Sequence, residues 1–253
     1  MKACITLLLV SLLILCIGCA GTSKAPKYQG LSDQQLYDKA LNYFEKKKWE
    51  QGREIMRYMI ENFYDSQLIM PAKLALADSY FNAKGIENYS VAVQQYEEYL
   101  KLYPSSPKAD YAQYQIGMCH FKQMPKPGRD QNITLKAINA FKTLIETYPR
   151  SSFSPDGQNK MMNAYGYIIE HDFSIAKFYF KKKRYHPTES RLKEIFANYP
   201  VEAIPAKAFF YYAATLQKLG LNEESKKYYS LLLEKFPNSE FTLKTKEALA
   251  TLK

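Results

Sequence analysis

"AINAFKTLIETYP", residues 137–149, is the stretch on which the fold turns. Its apolar residues recur at helical spacing, and the run stops at Tyr148-Pro149. Nearly the same phrase, "AVQQYEEYLKLYP", occupies residues 92–104. Self-similarity at a period of tens of residues is the mark of a repeat architecture. Counting back eleven positions from the aromatic at each stop lands on a small residue five times: Gly52, Ala92, Ala137, Thr188 and Ser225. Four residues past these stand Met56, Tyr96, Phe141, Leu192 and Tyr229. Seven and eight past them stand Met59-Ile60, Tyr99-Leu100, Leu144-Ile145, Ile195-Phe196 and Leu232-Leu233. All these offsets share one face of a 3.6-residue helix, with a small residue where a neighbour can approach closely. Pro has no backbone donor and would cost about 3 kcal/mol inside a helix, so it marks the end. The first unit has Tyr64 in that place.

Each such helix has a predicted partner before it. Twelve residues upstream of the small position lie Ala40, Ala176 and Ala213. In the second unit Ala77 lies fifteen before Ala92, which assigns three extra residues to the turn "KGIENYS". In the third, Gly117 lies twenty before Ala137, and "QMPKPGRDQNIT" carries eight extra. Strand-like alternation with hairpin turns is absent. "SPDGQNKMMNAYGYIIEH" (154–171) stands outside the count. It reads as an additional helix, or as one helix running on through "FSIAKFYFKKK", with Ser154 as the cap and Pro155 in the first turn. The expected fold is all-α: a right-handed superhelical α-solenoid of about five tetratricopeptide-like helix pairs plus a C-terminal capping helix. The repeats fall at about 31–65, 67–105, 107–150, 154–200 and 202–237, with the cap at 239–252, in a single domain spanning 31–253.

The chain opens on Met1-Lys2 and the apolar run "CITLLLVSLLILCIG", too short to span a bilayer, which reads as a signal peptide over 1–18. Ile17-Gly18-Cys19 resembles a bacterial lipobox, although Cys16 stands where Leu is usual. Cys19 is then the lipidated first residue of the mature chain; an ordinary secretory signal is the alternative. Several acyl chains at about 0.8 kcal/mol per buried CH₂ would hold the protein on a membrane permanently. Ala20 after the cysteine favours the outer membrane, and 19–30 reads as a flexible tether. Cys119 then has no partner and is expected to be a small buried residue. The 35 Lys and Arg outnumber the 25 Asp and Glu. An exported chain does not meet nucleic acid, so this excess suits anionic lipid, acidic partner domains or a plain solvated surface. The run "KKKR" (181–184) reads first as a helix C-terminus complementing the dipole, and second as a contact for lipid phosphates or a partner.

No catalytic or metal constellation is legible. Cys119-His120 and His171-Asp172 are sequence neighbours, which diverge on a helix. His120, His171 and His186 show no ligand spacing. The protein is expected to be non-enzymatic, with no cofactor and no metal, the lipid on Cys19 apart.

With the lipobox, five units, "GRDQNITLKAINAFKTLIETYPRSSFS" and "IIEHDFSIAKFYFKKKRYHPTESRLKEIFANYP", the chain resembles the BamD family over about residues 19–248. These are lipoproteins of the machinery that inserts β-barrels into the bacterial outer membrane. Departures are Tyr64 and "KRYHPTES", where the family has an Ala-rich helix start. The resemblance implies a scaffold lipid-anchored on the periplasmic face of the outer membrane. It would dock on a BamA-type insertase, join other Bam lipoproteins where present, and receive unfolded outer-membrane proteins. A tetratricopeptide adaptor regulating peptidoglycan synthases or hydrolases is the rival reading. Mapped on the repeat, first-helix positions give the peptide-groove candidates Tyr37, Phe44, Leu74, Asp78, Phe81, Tyr114, Met118 and Phe121, flanked by Tyr111 and Lys122. Aromatics bury large area at low entropic cost, and Lys122 could meet a terminal carboxylate. Packing alone would account for the same aromatics. Arg191 is the partner-docking candidate by resemblance.

Overall fold

The computed structural model describes residues 27–252, which are helical throughout apart from turns. The signal segment, Cys19 and most of the tether lie outside the described residues. The helices are α1 (Asp33–Glu45), α2 (Trp49–Asn62), α3 (Ile69–Ala83), α4 (Ile86–Leu102), α5 (Ala109–Lys122), α6 (Asn132–Thr147), α7 (Ser154–Lys181), α8 (Tyr185–Asn198), α9 (Ala206–Lys218), α10 (Asn222–Lys235) and α11 (Thr242–Thr251). A 3₁₀ turn at Val201–Ala203 joins α8 to α9. Each helix packs mainly on its chain neighbours, which is the connectivity of an α-solenoid.

All ten small positions are buried, on first helices (Ala40, Ala77, Gly117, Ala176, Ala213) and on second helices (Gly52, Ala92, Ala137, Thr188, Ser225). The closeness is measurable at Gly117, where an added Cβ would lie 2.5 Å from Phe141 Cε1. Two of the small residues are polar and find carbonyls: Thr188 Oγ1 donates to Arg184 O at 2.7 Å and Ser225 Oγ to Ala213 O at 2.8 Å. The apolar positions four and seven past the small residue, from Met56 and Met59 to Tyr229 and Leu232, are all essentially solvent-free. Burying one such side chain contributes about 1.5–3 kcal/mol.

The inter-unit turn depends on serine more than on proline. Ser66, Ser106, Ser151 and Ser239 stand three residues past the stop aromatic, and each donates its N–H to that aromatic's carbonyl at 2.9–3.1 Å. The hydroxyls of Ser66, Ser106 and Ser151 then accept the N–H two residues on at 3.1 Å. Phe63 has the same backbone as Tyr103 and Tyr148, so Tyr64 in place of Pro changes nothing in the turn. The fourth unit lacks the serine. There Tyr199 is extended and the 3₁₀ turn takes over, with Ile204 buried beneath it.

Three local expectations are revised, and one alternative is decided. The three extra residues of the second unit lengthen α4 at its N-terminus and leave a two-residue turn, Lys84-Gly85. Of the two readings of 154–171, the continuous one holds: the segment opens the single 28-residue helix α7. Ser154 is inside that helix, not its cap, and its hydroxyl donates to Tyr148 O at 2.7 Å. The tether gives way to structure by Lys27: Tyr28 is buried against Tyr58, with ring centroids 5.2 Å apart, and Lys27 pairs with Glu54 at 3.1 Å. At the other end Leu252, Ala248 and Leu249 close over Ala213 and Tyr229, so α11 is the expected cap.

Candidate binding surfaces

The groove candidates separate into two groups once their contacts are traced. Asp78 on α3 accepts the Tyr96 hydroxyl from α4 at 2.5 Å and the Tyr111 hydroxyl from α5 at 2.9 Å. Tyr111 Oη in turn accepts from Gln115 Nε2 at 2.8 Å. Burial holds the Asp78 carboxyl above the ordinary carboxylate range even though both tyrosines pull it down. Burial, reinforced by Asp78, lifts the phenols of Tyr96 and Tyr111 far above theirs. This is a tie across three helices. Tyr114 likewise donates to Asp156 at 2.6 Å and stacks on Phe153 at 5.0 Å, joining α5 to α7.

Tyr37, Phe44, Leu74, Phe81, Met118 and Phe121 are half-buried, each resting on a core cluster with part of its surface open. Phe44 lies against the bare face of Gly52 and stacks on Trp49 at 6.3 Å. Phe81 meets Tyr89 at 5.7 Å, and Phe121 sets its edge on Phe141 at 6.2 Å. Lys122 is exposed at the last residue of α5. Arg191 is exposed on α8 and pairs with Glu194 at 3.1 Å. A pair this open contributes at most about 1 kcal/mol and is easily exchanged for a partner's carboxylate.

Phe121 also belongs to an open cleft of about 570 Å³ between the end of α5, the middle of α7 and the 3₁₀ turn, with Met162, Gly166 and Tyr167 on its α7 wall. The sequence reading missed this wall. The repeat register counts α7 only from Ala176, whereas its first half packs as a first helix against α6 around Ala164. The signal was the apolar spacing of Met161, Ala164, Ile168 and Ile169, all of them buried.

Cys119 is fully buried, and burial pushes its thiol up to about 12, so it is inert at neutral pH. His120 beside it is pushed down, first by burial and then by the Lys136 charge. Among the described residues no group of three His, Cys, Asp or Glu is placed to hold a metal ion. None of the described helices is long and apolar enough to cross a membrane.

Stacked helix pairs with half-open aromatics along their first helices, and polar groups spent on ties between helices, define an α-solenoid. The YfiO family of proteins, described as "Outer membrane lipoprotein", matches residues 29–231, and the chain belongs to that family. Similar curated proteins are named "Outer membrane protein assembly factor BamD". The one from Caulobacter vibrioides is 24% identical over 226 residues, covering 88% of this chain and 73% of its own length. The one from Rickettsia prowazekii is 25% identical over 206 residues, covering 81% of each. Among solved structures, the complex titled "TPR2AB-domain:pHSP90-complex of yeast Sti1" aligns with a TM-score of 0.46 at 14% identity, over 87% of this chain and 82% of that one.

Proposed function

We propose that this protein is a non-enzymatic scaffold of outer-membrane protein assembly, anchored through lipid on Cys19 to the periplasmic face of the outer membrane. It docks on a BamA-type insertase through the α8 face carrying Arg191. It receives unfolded outer-membrane proteins along the open edges of Phe44, Phe81 and Phe121. The observation that carries the reading is the family match over almost the whole solenoid, together with the similarity to proteins named as assembly factors. The geometry supports it. An extended apolar segment needs aromatic surface that is held in place yet open on one side. Those three rings are backed by Gly52, Tyr89 and Phe141 and stay half-open.

Depletion in the native bacterium tests the reading. Outer-membrane barrels should fall while their precursors accumulate in the periplasm. Normal barrels with altered cell shape would transfer the protein to the cell-wall adaptor class. Arg191→Glu should reduce co-purification of the insertase more than Arg191→Lys, because only the former reverses the charge. Equal recovery from the two variants would remove Arg191 from the interface.

A further inference from the structure

Three lysines occupy one equivalent position. Lys47, Lys84 and Lys183 each stand seven residues past the small residue of their first helix, at the turn into the second helix. Among the described residues they are the only non-glycine residues with positive φ, at 56°, 60° and 55°. In the fifth unit the same position holds Gly220, φ 79°, the residue this conformation favours. The turns at Lys183 and Gly220 close alike. Arg184 N–H donates to Tyr179 O at 3.0 Å, and Leu221 N–H donates to Leu216 O at 2.9 Å. A lysine there is strained where glycine would not be, and strain kept against an easy remedy points to function.

The turn at Lys183 stands apart in its surroundings. From Phe173 to Thr188 the chain carries Lys177, Lys181, Lys182, Lys183 and Arg184 and not one Asp or Glu. Lys181 to Arg184 are exposed, and none of them forms an ion pair among the described residues. Phe178, one turn earlier, is 58% exposed, and Phe180 and Tyr185 meet edge-on at 5.8 Å beneath the tip. By contrast Lys46 to Lys48 are bracketed by Glu45 and Glu50. Helix α7 also carries two small packing residues, Ala164 toward α6 and Ala176 toward α8. A helix dipole is answered within the last turn; Lys183 and Arg184 lie past the helix end.

We infer that the α7–α8 tip is a second membrane contact, in which Lys181, Lys182, Lys183 and Arg184 bind the phosphates of anionic phospholipid and Phe178 enters the headgroup layer. An exposed turn of a few residues offers much less than the roughly 800 Å² per side of a specific protein interface. A fluid bilayer conforms to such a tip, and the combination of clustered cations with an exposed aromatic is what anionic membranes attract. The inference rests on the family's membrane association and not on the client or insertase reading.

The test uses residues 20–253, which contain every residue the structure describes and carry no acyl chain. Binding to phosphatidylethanolamine–phosphatidylglycerol vesicles is compared with binding to phosphatidylcholine vesicles by co-sedimentation. The anionic vesicles should be preferred, with the preference lost at high salt. K182Q/K183Q should lower the partition coefficient about thirtyfold and Lys183→Gly about fivefold. Lys183→Gly should not lower the thermal midpoint, which separates the lost charge from lost folding. Lys47→Gln should leave partitioning within about twofold. An absent preference for anionic vesicles overturns the inference, as would an unchanged K182Q/K183Q or an equal loss from Lys47→Gln. The last result would reduce the tip to one part of a diffuse basic surface. Insertase co-purification is read separately, so neither proposal stands or falls with the other.

Discussion

Asp78 offers the sharpest separation of a groove residue from a structural tie. Asp78→Ala removes the acceptor of two tyrosine hydroxyls, at 2.5 Å and 2.9 Å, one of them on the fully buried Tyr96. A hydrogen bond to a charged acceptor contributes about 1.5–3 kcal/mol, and an orphaned buried donor costs about 1–3 kcal/mol. Relief of the carboxylate's desolvation offsets part of this, leaving a loss of about 2–4 kcal/mol. Asp78→Asn keeps an oxygen for both hydroxyls and has no charge to desolvate, so it should stay within about 1 kcal/mol of the parent. In urea, with a slope near 2–3 kcal/mol per molar, the Ala variant's midpoint falls by about 1 M and the Asn variant's by less than half that.

The pH dependence follows from the raised carboxyl. Its folded value lies above the unfolded value of 3.8, chiefly through burial. Its contribution to stability is therefore complete below the unfolded value and is lost as pH rises through the folded one. The Asn variant lacks this slope and should gain on the parent from about pH 4 upward. Hydrogen exchange should localise the Ala defect to α3, α4 and α5. An unchanged midpoint for Asp78→Ala would refute the tie. An Asn variant as damaged as Ala would refute the claim that the ionised form is disfavoured by burial.

Gly117→Ala should destabilise by about 1–3 kcal/mol in a thermal melt, because its Cβ would meet three carbons of the Phe141 ring at 2.5–3.0 Å. Arg53 is 5% exposed, donates to Ser79 Oγ and Ser79 O at 3.1 Å and 3.0 Å, and stacks 3.9 Å from the Tyr80 centroid. Arg53→Lys should recover less than half of the loss seen in Arg53→Ala, since an ammonium cannot reproduce the fork and the stack together. Tyr114→Phe should cost about 1–2 kcal/mol by releasing Asp156 while keeping the stack on Phe153, measurable as a lower urea midpoint.

The repeat was legible because it is enforced by volume. Gly52, Ala92 and Ala137 must be small for helices to touch, and Tyr96, Phe141 and Tyr229 must be apolar because they fill the gap four residues on. Such constraints recur in every unit and survive changes of neighbour. Polar ties recur only in some units. Asp33–Ser66 and Asp110–Ser151 join equivalent positions in the first and third units at 2.6 Å, but the second unit has Met70 there and joins Tyr99 to Ser106 instead. Asp78 stands at a groove offset, and only the folded chain brings Tyr96 and Tyr111 to it. Where inserted residues go was equally hidden. "IENYS" has no helix breaker, and it joined α4 because Tyr89 could reach the core, where it is buried.

Helix α7 joins the two halves of the solenoid, and it sets how the aromatic face and the α8 face can be related. Its first half packs on α6 and its second on α8, so the groove candidates and Arg191 sit on either side of one continuous hydrogen-bonded rod. Two side-chain links run from its second half to the two sides of the 3₁₀ turn: Tyr199, before it, donates to Asp172 at 2.7 Å, and Lys207, after it, pairs with Glu170. The weak point is Gly166, mid-helix, where an added Cβ would meet nothing within 4 Å. Glycine in a helix interior costs about 0.5–1 kcal/mol relative to alanine, and no close packing explains it here. Gly166→Ala should therefore raise the thermal stability by about that amount. If α7 acts as a fixed rod, the same variant should keep barrel assembly at the parental level in cells depleted of the native protein. A more stable variant that failed to support assembly would show that α7 bends at Gly166 during work, and the rigid relation between groove and docking face would have to be abandoned.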